Sequence, residues 1–284
     1  MFGLFKRKKV DPRKELADAL GGATLPSFPA IQMQVLQALR QPDMPMNRLG
    51  DMVMQDPGLS TKVIGTVNCA GFGLKRRVDS VAHAVSLLGA ARLESVVLAV
   101  AVAECLPARP SPGFQPRRFW RAAARRATTA LALADLLHPA SRSVAFTAGL
   151  LQDMAVPLLA THRSQQYGPL LQAWLADGGS LEALERSELG WDHAQVASWV
   201  ASEWLFPEGL GYALGGHHGS DEPELAAPLP VRLVGLLGEG DDDKLDLEPL
   251  VETARAAHDV PIDRVVAAVR GGFESSGEVA ALFC

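Results

Sequence analysis

The segment Asp56-Pro-Gly-Leu-Ser-Thr-Lys-Val-Ile-Gly-Thr-Val67 combines a helix start with a regular apolar repeat. Asp56 is a residue type that caps helices, and Pro57 suits a first helical position because the amide hydrogen it lacks would have no partner there. Leu59, Val63 and Val67 then recur every four residues, so they lie on one face of a helix. The stretch predicts a helix that begins at Pro57 and packs one face into a core.

The same helical period extends along the chain in both directions. Apolar residues recur every four positions from Ile31 to Leu39, and Ser80 is placed to cap a helix that Gly89 ends. Residues 92–106 follow as an apolar helix, and residues 119–137 begin a second run of helices. No segment alternates apolar and polar residues for long enough to form a strand. The pattern predicts an all-α fold of two packed helical lobes.

Proline and glycine divide this helical pattern into parts. Residues 107–113 contain three prolines and a glycine, which is typical of a linker. The first lobe is therefore expected over residues 23–106 and the second over residues 114–240. Residues 1–22 are expected to form a basic N-terminal tail, and residues 241–284 a C-terminal helical extension.

Composition and charge exclude several classes of protein. The chain has 284 residues, 48% of them hydrophobic, so it can bury a core, and its formal net charge of −5 argues against a nucleic-acid partner. Three cysteines without a CxxC pair indicate a reducing compartment. The most apolar stretch, residues 95–103, is too short to cross a bilayer, which takes about 20 residues. We expect a cytoplasmic protein without a transmembrane segment.

A series of short segments, in a fixed order, carries a family resemblance. The segments are Leu25–Ile31, Gln55–Cys69, Gly71–Gly73, Val78–Gly89, Phe119–Trp120, Ala145–Asp153, Leu189–His193 and Gly216–His218. Together they resemble the HDOD family, the HD-related output domain of bacterial signalling proteins, and their order is more specific than any one of them. The resemblance implies an HDOD domain over residues 23–240 and a role in bacterial regulation, in motility, biofilm or cyclic-di-GMP pathways.

The HDOD family is similar to HD-type metal phosphohydrolases, whose metal ions are held by a histidine, a His-Asp pair, further histidines and a closing aspartate. In this chain Ala122 stands at the first histidine, and Gln152-Asp153 at the pair. Val156 replaces the catalytic lysine, and Gly235 stands near the closing aspartate. Hydrolysis of this type needs a metal-activated water and a site that neutralises phosphate charge. These departures imply that the chain is not an enzyme.

Part of the metal-binding pattern nevertheless remains. Asp153, His193, His217 and His218 stand at positions similar to those that hold the second metal in the two-metal relatives, and three imidazoles with a carboxylate suit a single metal ion. These side chains could instead cap helices and satisfy a partly polar core. We expect a vestigial pocket, formed by these four residues and Gln152, with no resident metal or cofactor. An adventitious or regulatory metal, and residual hydrolysis, are the alternatives.

Arginines form the candidate partner-binding surface. Arg118, Arg121 and Arg125 recur at spacings of three and four, which places them on one face of a helix. The ordinary interpretation of such a run is a solvated helix face. Guanidinium groups also bind carboxylates and phosphates in bidentate fashion, so this face could dock an acidic partner or an anionic ligand.

The sequence therefore predicts a non-enzymatic regulatory module whose partners are other signalling proteins. Two alternatives stay open: a residual metal-dependent phosphohydrolase, and a receptor that binds a nucleotide or cyclic dinucleotide in the vestigial pocket. No motif specifies a small-molecule ligand.

Overall fold

The computed structural model of the chain describes residues 11–69, 76–219, 227–238 and 245–283. Within these ranges the regular structure is helical and no strand occurs; Ser111 and Phe114 form an isolated antiparallel bridge in the linker between the lobes. The predicted all-α class is confirmed.

A short N-terminal helix, α1 (Pro12–Ala19), precedes the first lobe. The elements of the first lobe are α2 (Ala30–Leu39), α3 (Met46–Val53), α4 (Pro57–Asn68) and α5 (Val81–Cys105). Asp56 caps α4 as predicted, since its Oδ1 accepts a hydrogen bond of 2.9 Å from the Leu59 amide. Ser80 caps α5, and Gly89, with φ of 67°, breaks α5 where the sequence predicts a helix end. A side chain is rarely tolerated at that φ.

The second lobe and the C-terminal region follow the linker. Their elements are α6 (Pro116–Leu137), a 3₁₀ turn (Pro139–Ser141), α7 (Arg142–Leu151), α8 (Ala155–His162), α9 (Ser164–Asp177), α10 (Leu181–Leu189), α11 (His193–Glu203), α12 (Glu208–Gly215), α13 (Leu229–Gly235), α14 (Glu248–Ala257) and α15 (Ile262–Phe283). Helix α7 packs on α6 and also on α5, so it joins the two lobes.

Two apolar stretches are long enough by composition to cross a membrane. They are Val81–Cys105 and Pro139–His162, and 56% and 89% of their apolar windows, respectively, are buried inside the fold. Core helices of a folded domain have this same combination of length, hydropathy and burial.

The N-terminal region differs from the predicted tail. Residues 1–10 lie outside the described residues, but Pro12–Ala19 form α1, which buries Leu16 and Ala19 and packs on α11. The guanidinium of Arg163 donates to the carbonyls of Asp18 and Ala19 at its C-terminal end. The expected tail therefore contains a packed helix, because the apolar face of this charged segment is buried against the second lobe; the boundary at residue 22 stays a prediction.

The C-terminal region belongs to the same core as the two lobes. Helix α15 lies along α6 and also contacts α4. Gly272 permits the close crossing of α15 and α6, since a Cβ at this position would lie 2.6 Å from Thr129 Cα. The predicted extension at residues 241–284 is helical in its described part, but it covers one side of both lobes and does not stand apart from them.

Candidate functional site

Four separate elements of the second lobe bring the candidate residues together. Asp153 lies in the turn between α7 and α8, and Arg126 lies in the middle of α6. His193 is the first residue of α11, which Asp192 and Gln195 start with a reciprocal capping box. His217 and His218 follow the C-terminal end of α12. The structure therefore assembles the predicted Asp153 and the three histidines from positions up to 65 residues apart in sequence.

The Nε2 atoms of the three histidines face one another and Asp153. His193 Nε2 lies 3.3 Å from His217 Nε2 and 2.9 Å from His218 Nε2. Asp153 Oδ1 lies 3.5 Å from His193 Nε2 and 3.4 Å from His217 Nε2. His193 and His217 are buried, whereas His218 is half-buried. The cluster is thus a compact group of three imidazole nitrogens and one carboxylate oxygen.

A buried carboxylate orients His193 from behind. Glu185 is 0% exposed, and its Oε2 lies 2.6 Å from His193 Nδ1 and accepts a 2.8 Å hydrogen bond from the His193 amide. Its other oxygen accepts a hydrogen bond from the Tyr167 hydroxyl. The second buried histidine is held similarly, because His217 Nδ1 lies 2.7 Å from the Leu214 carbonyl. Both rings therefore have fixed orientations.

A guanidinium neutralises Asp153. Arg126 Nη1 lies 2.8 Å from Asp153 Oδ2, and Arg126 is only 5% exposed. Arg126 Nε is also buried and has no hydrogen-bond partner among the described residues. Asp153 thus presents one oxygen to the arginine and the other to the histidines.

These charges set the protonation states of the cluster. Burial would raise the pKa of Asp153, but the Arg126 guanidinium and hydrogen bonds from the histidines hold that pKa well below its usual range. Burial would lower the pKa of His193, but the Glu185 and Asp153 carboxylates raise it well above its usual range. Burial, reinforced by the other two rings, lowers the pKa of His218 to about 2. His218 therefore keeps a free lone pair at neutral pH.

The structure does not fit a two-metal centre. Ala122 is buried and carries no ligand atom, and Gln152 supplies a carboxamide where the relatives have an imidazole. A Cβ at Gly235 would lie 2.9 Å from the His217 carbonyl oxygen, so a ligating side chain there would displace the backbone. In contrast, the ligand nitrogens of His193, His217 and His218 lie within 4.8 Å of one another, and this donor set fits one transition-metal ion.

A small cavity opens onto this cluster. Its volume is about 240 Å³, and its lining includes Arg126, Asp153, Trp174, Glu182 and His218. Typical ligand pockets have volumes of about 300–1,000 Å³, so the described cavity is smaller than the usual small-molecule site. Two larger grooves of about 830 and 800 Å³ flank α1 and contain none of the predicted site residues.

The predicted arginine surface is only partly formed. Arg118 and Arg121 are exposed on α6, but Arg125 is 4% exposed. The Arg125 guanidinium donates a 2.6 Å hydrogen bond to the Gly238 carbonyl and lies 5.5 Å from the centre of the Phe273 ring. Including Arg125 in an exposed docking face is therefore wrong. The helical spacing is correct, but Phe273 of α15 and Gly238, after α13, cover Arg125.

Sequence reasoning missed Arg126, Glu185 and Tyr167 as parts of the site. Arg126 carries a usable signal, since Ala122, Ala123, Thr129 and Ala130, one turn before and after it, form a run of small, uncharged residues on its side of the helix. A charged residue in such a run needs a buried partner. Glu185 and Tyr167 carry no comparable local signal, because their partners lie on other helices.

Solved structures show the same fold. An HDOD domain protein of unknown function from Geobacter sulfurreducens is 20% identical, with a TM-score of 0.71, over 96% of this chain and 99% of that one. A protein from Shewanella amazonensis SB2B named "Putative phosphohydrolase" is 22% identical, with a TM-score of 0.72, over 93% and 97% of the two chains. A "Putative signal transduction protein" from Marinobacter aquaeolei VT8 is 21% identical, with a TM-score of 0.66, over 94% and 65%.

Sequence comparison identifies the family. An uncharacterised protein of Treponema pallidum (strain Nichols) is 23% identical over 207 residues, which are 72% of this chain. The match spans only 40% of the length of that curated relative. The family model described as HDOD domain matches residues 25–220, well over half of the chain. This chain therefore belongs to the HDOD domain family.

Proposed function

We propose that this protein is a non-hydrolytic signal-transduction module that acts through contacts with other signalling proteins. The observation that carries the proposal is the buried ion pair between Arg126 and Asp153. In two-metal phosphohydrolases the aspartate of the His-Asp pair is a metal ligand, whereas here a guanidinium occupies one of its oxygens. An internal arginine neutralises the carboxylate but cannot activate water for attack on phosphorus.

The surroundings of this ion pair support the same proposal. Val156, which stands in the place of the catalytic lysine, is a buried apolar side chain. Ala122 and Gly235 lack any ligand atom. A phosphate entering this cavity would therefore meet Arg126, but neither the ligands of a two-metal centre nor the lysine that helps to lower the barrier to hydrolysis.

The proposed contact surface is the exposed N-terminal end of α6. Arg118 and Arg121 lie there with Arg117, and all three are exposed. Such a cluster favours an acidic partner, because arginine pairs with carboxylates through two parallel hydrogen bonds. We propose that the pathway is cyclic-di-GMP-linked motility or biofilm control, a proposal that rests on the resemblance to bacterial signalling proteins.

Assays of hydrolysis test the first half of the proposal. Purified full-length protein is incubated with bis-p-nitrophenyl phosphate, p-nitrophenyl phosphate and cyclic-di-GMP, in the presence of Mn²⁺, Fe²⁺ or Mg²⁺. We expect no turnover above the metal-only control. Turnover that disappears in His217→Ala would overturn the proposal.

Reversing the charge of the α6 arginines tests the second part of the proposal, the contact with other signalling proteins. Cross-linked partners are captured from the source bacterium with wild type, with Arg118→Glu/Arg121→Glu and with Arg264→Glu/Arg270→Glu. The control reverses two exposed arginines of α15, so the net charge changes equally. We expect a captured partner to be lost only with the α6 variant, because each favourable contact becomes a repulsion. Equal capture by all three proteins would exclude this surface.

A further inference from the structure

Leu205 is an exposed apolar residue on a strained turn. It lies between α11 and α12 and has a left-handed φ of 55°, which no other non-glycine residue adopts in the described part of the chain. Its side chain is 67% exposed, the largest fraction among the large apolar residues that the structure describes. Glycine is the residue that usually follows a helix in this conformation. Neither burial within the protomer nor backbone geometry therefore explains a leucine at this position.

Hydrogen bonds fix the backbone that carries this side chain. The Phe206 amide donates to the Ala201 carbonyl at 2.9 Å, and the Leu205 amide donates to the Ser202 carbonyl at 3.2 Å. The guanidinium of Arg40, which follows α2 in the first lobe, donates a 2.6 Å hydrogen bond to the Leu205 carbonyl. A side chain that projects from a fixed backbone has less conformational entropy to lose when it binds.

A groove of about 830 Å³ lies along α11 and α12 and begins beside this leucine. Its lining includes three aromatic side chains, from Trp199, Phe206 and Tyr212. A Cβ at Gly211 would meet Ala201 Cβ at 3.9 Å and no closer atom of the described residues, so small residues leave space between the two helices. The groove can therefore receive an aliphatic side chain.

The charges that line this groove have partners within the same protomer. Arg186 Nη2 lies 2.6 Å from Asp192 Oδ2, and Glu208 accepts a 2.5 Å hydrogen bond from the Tyr212 hydroxyl. A second copy would bring the same charges to the contact, so a cluster of one sign would repel it. The lining contains both signs and no such cluster among the described residues, which favours a second copy over a highly charged partner.

Twofold symmetry allows the leucine and the groove to fill each other twice. In a twofold dimer the same surface of both copies forms the contact, so a protrusion of each copy meets a groove of the other. Leu205 and the α11–α12 groove adjoin on one surface, and each dimer would contain the contact twice. The same contact made in one direction only would continue into a chain of copies.

We propose that this protein forms a twofold symmetric dimer in which Leu205 of each protomer enters the groove along α11 and α12 of the other protomer. Burial against the aromatic side chains of the groove removes the leucine from water and offsets the strain of its turn. This inference goes beyond the proposed function, since it concerns a groove whose described lining contains no residue of α6.

Sedimentation velocity of the full-length protein across the micromolar range tests the dimer. We expect a reversible monomer–dimer equilibrium that stops at two copies, because a twofold contact closes. Leu205→Gly should weaken dimerisation by at least about 100-fold, since each dimer loses two buried leucines. Its melting temperature, measured at a concentration where wild type is monomeric, should stay within about 2 °C of wild type, because glycine relieves the left-handed strain.

Filling the groove tests the other side of the contact. Gly211→Leu places a side chain in the groove and should weaken dimerisation as strongly as Leu205→Gly. Gly209→Leu is the matched control, because Gly209 lies on the same helix, outside the groove lining, with no described atom within 4 Å of its Cβ position. This control should dimerise like wild type. Circular dichroism verifies that both variants are folded.

Mixing the two association-deficient variants tests whether the leucine enters the groove. Leu205→Gly keeps an open groove, and Gly211→Leu keeps the protruding leucine, so a heterodimer retains one complete contact. At its other contact, the leucine added to the groove takes the space of the leucine that the other copy lacks. We expect the mixture to form heterodimers more tightly than either variant associates alone.

Several results would overturn the proposal: wild type that stays monomeric throughout the micromolar range, assemblies that grow beyond two copies, a dimer that either variant leaves unchanged, or a mixture that associates no better than its components. If wild type is monomeric and a different captured protein is lost with Leu205→Gly, the surface belongs to that partner. None of these results affects the proposed function, because capture through α6 is measured separately with Arg118→Glu/Arg121→Glu.

Discussion

Arg126 Nη1 and Asp153 Oδ2 are 2.8 Å apart, and both side chains are withdrawn from solvent between α6 and the turn that follows α7. Each charge depends on the other, because an isolated charge in such a place is strongly disfavoured. The same carboxylate also faces the three histidines. This one ion pair therefore links the packing of the second lobe to the properties of the candidate site.

Removing one partner of this pair should destabilise the protein strongly. We expect Arg126→Met to lower the free energy of unfolding by about 3–5 kcal/mol in urea denaturation, because Asp153 is left buried and unpaired. The double variant Arg126→Met/Asp153→Asn should recover a large part of this loss. Arg121→Ala, at an exposed position on the same helix, should change stability by less than about 0.5 kcal/mol. Similar stability of the two single variants would contradict the structure.

Replacement of Gly272 and of Gly271 by alanine should change the free energy of unfolding in opposite directions. A Cβ at Gly272 would lie 2.6 Å from Thr129 Cα, so Gly272→Ala must push α15 away from α6 and should cost about 1–3 kcal/mol of unfolding free energy. A Cβ at Gly271 has no atom within 4 Å, so Gly271→Ala should stabilise the helix by about 0.5–1 kcal/mol. Chemical denaturation of both variants measures the difference. Equal changes would mean that α15 does not cross α6 at Gly272.

Gln152 should tolerate an apolar replacement. Its Oε1 is buried and has no hydrogen-bond partner among the described residues, so Gln152→Met should leave the melting temperature unchanged or raise it. Gln32 is the matched control, since its Oε1 is also buried without a partner among the described residues, but its Nε2 donates to Asp56 Oδ2 at 3.3 Å and to Glu104 Oε2 at 3.0 Å. Gln32→Met should cost about 1–3 kcal/mol. A larger loss at Gln152 than at Gln32 would show an unrecognised role for its carboxamide.

Cys69 should be an inert thiol at physiological pH. Burial, with a smaller effect of Glu278, raises the pKa of Cys69 to about 12, and burial raises the pKa of Cys105 to about 11. At pH 8 only about one Cys69 in ten thousand is a thiolate, so alkylation by iodoacetamide should be slow. The rate should rise about tenfold per pH unit, because deprotonation supplies the nucleophile. Peptide mapping by mass spectrometry measures the extent of alkylation at each cysteine separately. Rapid labelling of Cys69 at pH 8 would refute its burial.

Local signals in the sequence determined the helical elements of this protein. Asp56 and Pro57 start α4 because the cap and the missing amide act within one turn of the chain. Gly89 breaks α5 because only glycine readily adopts its positive φ. Such interactions depend on neighbouring residues alone, so the all-α class was predictable from them. The HDOD family was predictable from the ordered segments that carry the resemblance.

The burial of the charged residues and their contacts depend on how separate helices pack together. Arg118 and Arg125 share a helix face in sequence, yet α15 covers one and leaves the other exposed. Glu185 reaches His193, and Arg126 reaches Asp153, across gaps between separate helices. Helical periodicity describes one helix at a time, and the free energy of burying a charge depends on a partner that another element supplies. The cluster of three histidines and Asp153 follows from that packing.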